Sequence, residues 1–258
     1  MNIPFYKYQG TGNDFIIIDN RLKQFPKKDI LLINKMCDRK FGVGADGLIL
    51  IENHKKADFN MVYYNSDGNL SSMCGNGGRC LVHFARFLGI ISESATFEAI
   101  DGMHEATIND DMVSLKMNDV DTVLVEEDRV FLNTGSPHDI RLVDDVNTVD
   151  VQKLGAKIRH EVYGKKGSNV NFVEQLKEDV FLVRTYERGV EGETLSCGTG
   201  VTAVALAMYE SKKTVSKGVI LQTQGGNLKV TFEKDDSKFT NIYLIGPTEQ
   251  VYKGVWEL

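Results

Sequence analysis

Two cysteines in the 258-residue chain stand in the same short motif, Cys-Gly-x-Gly, at residues 74–77 and 197–200. Apolar residues at helical spacing follow each motif, so each cysteine is expected just before or at the start of a helix. Free backbone N–H groups and the positive end of the helix dipole meet at such a position. That environment lowers the pKa of a thiol and favours the thiolate. The same N–H groups can bind an anion such as a carboxylate.

The chain also matches itself when it is shifted by 123 residues without a gap. A glycine match alone means little, but several matches in one register indicate an internal duplication. The coinciding pairs are Thr11-Gly12 with Thr134-Gly135, Gly44 with Gly167, Tyr63 with Tyr186, Cys74-Gly75-x-Gly77 with Cys197-Gly198-x-Gly200, and Gly102 with Gly225. The sequence therefore predicts two similar halves, each with one thiol at a helix start.

Two such halves facing each other across a cleft would suit one reaction in particular. A carboxylate resting on both helix ends would have its α-carbon between two sulfurs. One thiolate could remove a proton, and the opposite thiol could return one to the other face, which inverts the configuration. The helix N–H groups would stabilise the enolate-like charge that develops. A single cysteine is more often a packing residue, and we interpret Cys37 and Cys80 in that way; the matched pair Cys74 and Cys197 favours function.

The elements expected around the two motifs are also similar. Each half should carry a strand, a polar turn, the helix after the cysteine, and a hairpin. The expected segments are a strand at 59–64, a helix after Cys74 that ends at Gly89 and a hairpin from 95–100 and 112–117, then a strand at 180–186, a helix after Cys197 and a hairpin from 219–223 and 227–232. The second helix is apolar nearly all round, so it should be buried.

This pattern predicts an α+β fold of two pseudo-symmetric domains. Each domain would be a mostly antiparallel sheet or barrel around a central helix. The expected domains are residues 1–118 and 119–247, with a C-terminal strand at 248–258 that returns to the first domain.

The composition excludes several classes of function. Lys and Arg number 30 against 36 Asp and Glu, a net charge of −6, and no basic block stands out, so nucleic acid is not an expected partner. The longest apolar run, residues 203–209, is far shorter than the ~20 residues of a membrane span. The first residues lack the apolar stretch of a signal peptide, so we expect a cytoplasmic protein with reduced thiols. The five histidines are not at zinc-finger spacing from the cysteines, so we expect no zinc site.

Taken together, the motifs resemble the diaminopimelate epimerase family over essentially the whole chain. The segments that carry the resemblance are Gly12-Asn13-Asp14-Phe15, Gly44-Ala45-Asp46-Gly47, Asn65-Ser66-Asp67-Gly68, Cys74-Gly75-Asn76-Gly77-Gly78-Arg79-Cys80, Pro137-His138, Asn169-Val170-Asn171-Phe172, Glu187-Arg188-Gly189 and Glu193-Thr194-Leu195-Ser196-Cys197-Gly198-Thr199-Gly200. The two Cys-Gly-x-Gly motifs alone would fit a wider superfamily that includes proline racemase.

The resemblance implies a cofactor-independent epimerase that converts LL-diaminopimelate to meso-diaminopimelate for lysine and peptidoglycan precursors, with a homodimer as a plausible assembly. It implies that Cys74 and Cys197 are the acid–base pair. The residues implied to bind the reacting carboxylate through their N–H groups are Gly75, Asn76, Gly198 and Thr199. Those implied to bind the distal end of the substrate are Asn13, Asn65, Asn169, Glu187 and Arg188. Glu187 and His138 are implied to influence the chemistry from beside the thiols.

Three positions depart from the common pattern of the family. Many members have Gln at the position of Gly47 and Asn at that of Ser136, and the turn at residues 189–192 is one residue longer here. All three positions would affect substrate binding rather than the thiol pair.

Other functions remain open from the residues themselves. A racemase or epimerase for another amino acid, such as proline, would use the same two thiols. A thiol oxidoreductase or redox sensor would pair Cys74 with Cys197 as a disulfide. A non-catalytic amino-acid-binding protein would tolerate replacement of either cysteine.

Overall fold

The computed structural model describes residues 2–71, 73–236 and 238–257. Its strands are β1 (Asn2–Gly10), β2 (Asn13–Asp19), β3 (Gly47–Glu52), β4 (Phe59–Asn65), β5 (Ser94–Ala99), β6 (Gly102–Asn109), β7 (Met112–Lys116), β8 (Val123–Val125), β9 (Val130–Asn133), β10 (Pro137–Leu142), β11 (Asn169–Lys177), β12 (Val180–Glu187), β13 (Gly192–Thr194), β14 (Gly218–Thr223), β15 (Gly226–Lys234), β16 (Phe239–Pro247) and β17 (Glu249–Glu257). Its helices are α1 (Ile30–Cys37), α2 (Gly75–Phe87), α3 (Val151–Glu161) and α4 (Gly198–Glu210), with a short 3-10 helix at Val146–Thr148.

The chain divides into two compact units, Met1–Leu115 with Gly246–Leu258, and Lys116–Ile245. In the first unit the strand order is β17-β1-β2-β3-β4-β5-β6-β7. The pairs β2–β3 and β4–β5 are parallel, and the other pairs are antiparallel. Helix α2 packs against β1, β2, β3 and β6, and ten of its thirteen residues are buried.

The second unit repeats this arrangement. Its parallel pairs are β10–β11 and β12–β14, and antiparallel pairs connect β8 to β9, β9 to β10, β11 to β12, β14 to β15 and β15 to β16. Helix α4 packs against strands on several sides, namely β8, β9, β10, β11, β14 and β15. Residues Val201–Met208 are all buried, which confirms the burial expected from the apolar composition of this helix.

The hairpin expected in the first half differs in its second strand. Residues Ser94–Ala99 pair antiparallel with Gly102–Asn109, and Met112–Lys116 pairs with that second strand instead. The strand β6 was missed because polar His104 occupies one of its buried positions, which interrupts the apolar alternation. The hairpin is therefore a three-stranded meander.

The two remaining helices also match under the 123-residue shift, which moves α1 (Ile30–Cys37) onto residues 153–160, within α3 (Val151–Glu161). Asp29 caps α1, its carboxylate accepting the N–H of Leu32 at 2.9 Å, and Asp150 caps α3 through the N–H of Lys153 at 3.0 Å. Both caps satisfy an N–H group of the first helical turn. Helix α3 lies on β11, β12 and β13, where it covers the outer face of the second unit's sheet.

Within the part of the chain that the structure describes, no helix is long and apolar enough to cross a bilayer. Over the same residues, no group of three or more His, Cys, Asp or Glu side chains could hold a metal ion. All four cysteines are thiols outside any disulfide.

Candidate active site

In the first unit, Cys74 is the N-cap of α2, with extended backbone angles of φ −94° and ψ 126°. Its sulfur lies 3.4 Å from Oδ1 of Asn13, which begins β2. The amide of Asn76 donates to the same oxygen at 3.4 Å. The amide of Asn13 in turn donates to the carboxylate of Asp46. The start of α2 thus brings together three of the predicted residues, Cys74, Asn13 and Asn76.

Asn65 ends β4 and is exposed, opposite Gly47 in the register of β3 and β4. No side-chain hydrogen bond between described residues joins it to Asn13 or Cys74. Gly47 is enclosed: a Cβ there would stand 2.5 Å from both Cε2 of Tyr63 and the carbonyl oxygen of Tyr64. A larger side chain at position 47 would therefore require both the Tyr63 ring and the backbone at Tyr64 to move.

In the second unit, Cys197 is the N-cap of α4, with φ −124° and ψ 112°. Its sulfur is buried and lies 3.5 Å from the hydroxyl oxygen of Thr199. Thr134 donates its hydroxyl to the Thr199 carbonyl at 2.9 Å, which anchors the first turn of the helix. Under the 123-residue shift Thr199 is equivalent to Asn76, so each unit places one polar side chain beside its helix start.

His138 on β10 completes this group of contacts. Its Nε2 lies 3.0 Å from the Thr199 hydroxyl, and its Nδ1 faces the amide nitrogen of Asn171 at 3.1 Å. That amide also donates to the carbonyl of Asp139, while its oxygen accepts the Thr185 hydroxyl. Since Asn171 donates to Nδ1, the ring proton belongs on Nε2. Nε2 then donates to Thr199, whose hydroxyl can donate to the Cys197 sulfur.

The imidazole of His138 is completely buried. Burial lowers its pKa to about 3, and the positive charge of Arg188 acts in the same direction. His138 is consequently a neutral hydrogen-bonding residue at neutral pH, and it does not carry a positive charge beside the thiol.

The remaining predicted residues of the second unit lie at the ends of β11 and β12. Asn169 stands opposite His138 in the parallel β10–β11 pair, with its amide nitrogen 3.4 Å from Nε2. Its Oδ1 accepts the backbone N–H of Arg188 at 2.8 Å. The guanidinium of Arg188 is exposed and donates to the Lys166 carbonyl. Glu187 accepts the Thr194 hydroxyl at 3.0 Å.

Both helix starts present N–H groups with no helical partner, because the first turn of a helix lacks preceding carbonyls. In the first unit these belong to Gly75 and Asn76, and in the second to Gly198 and Thr199. Such groups can bind a carboxylate and stabilise a developing enolate. Each unit therefore supplies one thiol together with one helix end of a kind that can bind an anion.

The other two thiols are in different surroundings. Burial raises the pKa of both Cys37 and Cys80 to about 12. Both remain protonated near neutral pH, as expected of packing residues.

Sequence reasoning assigned no role to three further residues near the helix starts: Asp46, Asn171 and Arg79. All three stand inside the motifs quoted for the family resemblance. The repeat offered a signal for Asp46, because Asp46 is equivalent to Asn169 under the 123-residue shift. Arg79 had no such signal, since arginine side chains are rarely buried completely.

Comparison with known sequences gives long matches. The sequence model of the family described as diaminopimelate epimerase matches residues 5–123 and 130–251. A diaminopimelate epimerase from Flavobacterium psychrophilum is 59% identical over 253 residues, which is 97% of this chain and 99% of that protein. The diaminopimelate epimerase of Aquifex aeolicus is 41% identical over 273 residues, covering 98% and 97% of the two chains.

Solved structures share the fold at much lower identity. A Bacillus anthracis phenazine biosynthesis protein of the PhzF family matches with a TM-score of 0.77 at 16% identity over the full length of both chains. A hydroxyproline epimerase from Agrobacterium vitis, solved with bound trans-4-hydroxy-L-proline, matches with a TM-score of 0.70 at 14% identity, covering 98% of this chain and 92% of that chain. These likenesses confirm the predicted two-domain α+β fold class.

Proposed function

The chain belongs to the diaminopimelate epimerase family, and from that premise we propose that it interconverts LL- and meso-diaminopimelate through Cys74 and Cys197. One observation supports the proposal more strongly than the others. Each cysteine is the N-cap of a helix at an equivalent place in the two units, beside N–H groups suited to a carboxylate. Two equivalent thiols are what inversion at one carbon requires.

The proposed reaction moves one proton in each direction. A thiolate takes the α-proton and becomes a thiol, and the electron pair left on the substrate is delocalised into the carboxylate. The thiol of the other cysteine gives its proton to the opposite face of the α-carbon and becomes a thiolate. The reverse reaction uses the same two groups with their protons exchanged. Helix N–H groups at Gly75, Asn76, Gly198 and Thr199 would stabilise the intermediate charge.

The distal end of diaminopimelate carries a second ammonium and carboxylate. We assign its binding to Asn13, Asn65, Asn169, Glu187 and Arg188. Amide and carboxylate oxygens can accept hydrogen bonds from the ammonium, and the guanidinium of Arg188 can pair with the carboxylate. Glu187 and His138 would also assist the chemistry, His138 as a neutral donor to Thr199. A substrate without the distal charges should therefore react more slowly.

The test is proton exchange in D2O with the fully reduced protein and LL-diaminopimelate, without added cofactor. Deuterium should enter at one α-carbon while the meso isomer appears, and an EDTA-treated sample should behave identically. Replacement of either Cys74 or Cys197 by Ala should lower the rate at least about 100-fold. The matched control is Cys80→Ala, because Cys80 lies on α2 but is a buried thiol with a raised pKa. Undiminished exchange in the Cys74→Ala protein would contradict the proposal.

A panel of amino acids in the same assay tests the substrate. Faster exchange with proline than with diaminopimelate would instead assign the protein to a different amino acid. We further propose a homodimer in the cytoplasm, where the four thiols would remain reduced. Sedimentation of the purified protein tests the dimer, and fractionation of cells tests the location.

A further inference from the structure

Arg79 is a fully buried cation on α2 without a carboxylate partner among the described residues. Its Nη1 donates to Oδ1 of Asn76 at 2.9 Å and faces the Gly75 carbonyl at 3.5 Å, and its Nη2 donates to the Thr11 hydroxyl at 3.3 Å. All three acceptors are neutral, and Nε has no hydrogen-bond partner among the described residues. A buried charge is normally paired with an opposite charge. A negatively charged group other than a carboxylate is therefore expected near Arg79.

The side chain is directed toward the start of its helix. Side chains on a helix lean toward its N-terminus, and the contacts with Gly75 and Asn76 show that Arg79 follows this rule. The ionisable groups that interact electrostatically with its guanidinium are Cys80 and Cys74. Burial lowers the pKa of Arg79, but the ordinary value is so high that arginine keeps its proton in proteins. The positive charge that acts on Cys74 is thus permanent.

Of these two neighbours only Cys74 can supply the missing anion near neutral pH. Cys80 is completely buried, and its pKa of about 12 keeps it a thiol despite the adjacent guanidinium. Cys74 is partly exposed, caps the helix and lies next to the backbone N–H groups of the first turn. The positive end of the helix and the Arg79 charge act on its sulfur in the same direction.

The other titratable groups around α2 are already engaged elsewhere. They are Tyr8 on β1 beside His83, Asp14 on β2 paired with Lys7 and Arg39, Asp46 paired with Arg39, and His104 on β6 paired with Asp101. The carboxylate of Asp46 also accepts from Asn13. None of them offers Arg79 a negative charge.

Among the described residues of the second unit, no arginine occupies the position equivalent to Arg79. Thr202 is equivalent to Arg79 under the 123-residue shift, and its hydroxyl donates to the Gly198 carbonyl at 2.9 Å within α4. The buried imidazole nearest to the Cys197 contacts, that of His138, is neutral. Glu187 and Arg188 are the charged side chains at the end of β12. The charge of Arg188 reaches His138, but its guanidinium is exposed and therefore screened by solvent, unlike the buried Arg79. The two thiols are therefore equivalent in position but not in electrostatic environment.

We propose that Arg79 is a positioning residue whose fixed positive charge makes Cys74 the thiolate of the resting protein, while Cys197 rests as the thiol. The inference depends on the proposed function for its catalytic meaning. The resting protein would then be ready to remove a proton with Cys74 and to donate one from Cys197. Arg79 also orients the Asn76 amide, which shares the Asn13 oxygen with the Cys74 sulfur.

Alkylation of the reduced protein by iodoacetamide tests, without any substrate, whether Cys74 is the resting thiolate. The rates at Cys74 and Cys197 are followed separately by peptide mass spectrometry between about pH 5 and pH 9, a range that includes the ordinary thiol pKa of about 8.5. In the unsubstituted protein the midpoint of the rate profile should be lower for Cys74 than for Cys197. Arg79→Gln should raise the Cys74 midpoint by about one pH unit or more and leave that of Cys197 in place.

Two further variants separate charge from structure. Arg79→Lys keeps the cation and should retain most of the low Cys74 midpoint, whereas a purely structural role would not be rescued by a lysine. Arg86→Gln removes the same charge from the last turn of α2 and should leave the midpoint unchanged. The inference is overturned if Cys74 titrates at or above Cys197 in the unsubstituted protein, a comparison that needs no variant to fold. It is also overturned if a folded Arg79→Gln protein keeps the original midpoint. If the unsubstituted protein shows the expected alkylation midpoints but no proton exchange with diaminopimelate, only the proposed function is contradicted.

Discussion

His138 Nε2 and the hydroxyl oxygen of Thr199 are 3.0 Å apart, and the same hydroxyl lies 3.5 Å from the Cys197 sulfur. A neutral imidazole is thus connected to the second thiol through one hydroxyl group. Because the Thr199 oxygen accepts a hydrogen bond from the imidazole N–H, its own hydrogen is directed toward the Cys197 sulfur. In the proposed reaction this hydroxyl would stabilise a thiolate on Cys197.

Removal of the Thr199 hydroxyl should slow catalysis. Thr199→Val keeps the shape of the side chain but removes the donor to the thiolate, and we expect kcat for α-proton exchange to fall about 10- to 100-fold. Thr199→Ser should restore most of the rate. The control is Thr202→Val on the same helix, whose hydroxyl bonds to a carbonyl within α4. Equal rates for the Thr199→Val protein and the unsubstituted protein would remove Thr199 from the mechanism.

The buried imidazole should make stability depend on pH. The pKa of His138 is about 3 when folded and about 6.5 when unfolded, so the unfolded chain binds the extra proton between these values. The stability associated with neutral His138 is fully present above pH 6.5. It is lost as the pH falls, by up to about 1.4 kcal/mol per pH unit. Urea unfolding of His138→Gln from about pH 4 to pH 7 should show a shallower dependence. His160→Gln, at an exposed histidine, should keep the original slope.

Local sequence patterns were sufficient to predict the helix starts and several strands. Cys74 and Cys197 cap α2 and α4, and the strands expected at 59–64 and 180–186 are β4 and β12, each one residue longer. These elements depend on apolar spacing and turn residues close together in the chain. The roles predicted for the site residues stay predictions.

Contacts between distant segments could not be predicted in this way. His138 and Asn171 are brought together by the parallel pairing of β10 and β11, which the sequence pattern does not indicate. The buried position of Arg79 contradicts the usual preference of arginine for the surface. His138 bonds to a residue that is distant in the sequence, and Arg79 is a charged residue at a buried position. Local apolar patterns indicate neither arrangement.

The pair Lys7 and Asp14 should contribute to the stability of the first unit. Burial alone would raise the pKa of Asp14, but hydrogen bonds and charges from Arg39 and Lys7 lower it to about 2. Asp14→Asn would leave the buried Lys7 ammonium without its carboxylate, at a cost of about 3–5 kcal/mol at pH 7.

The difference in the free energy of unfolding between the Asp14→Asn protein and the unsubstituted protein should shrink at low pH. The stabilisation from ionised Asp14 is complete above the unfolded pKa of about 3.9 and disappears as the pH falls through 2. Urea unfolding at neutral and acidic pH measures this difference. Asp19→Asn, which breaks the more exposed pair with Arg21, should cost less than about 1 kcal/mol. A pH-independent difference for Asp14→Asn would contradict the assignment.

Gly200 should be required for the geometry of the second thiol. A Cβ at this position would stand 2.7 Å from Oδ1 of Asn171 and 3.3 Å from the Cys197 sulfur. Asn171 cannot retreat without losing its bonds to His138 and Thr185, so the first turn of α4 must shift instead. We expect Gly200→Ala to cost about 1–3 kcal/mol of stability and to lower kcat for proton exchange more than 10-fold even when the protein is fully folded. Gly218→Ala is the control, because its nearest neighbour is Cε of the flexible Lys229 side chain at 3.4 Å, and its free energy of unfolding should change by no more than about 0.5 kcal/mol. A folded Gly200→Ala protein with the original kcat would show that the thiol tolerates displacement of its helix start, and the close packing of Asn171 against α4 would then serve stability alone.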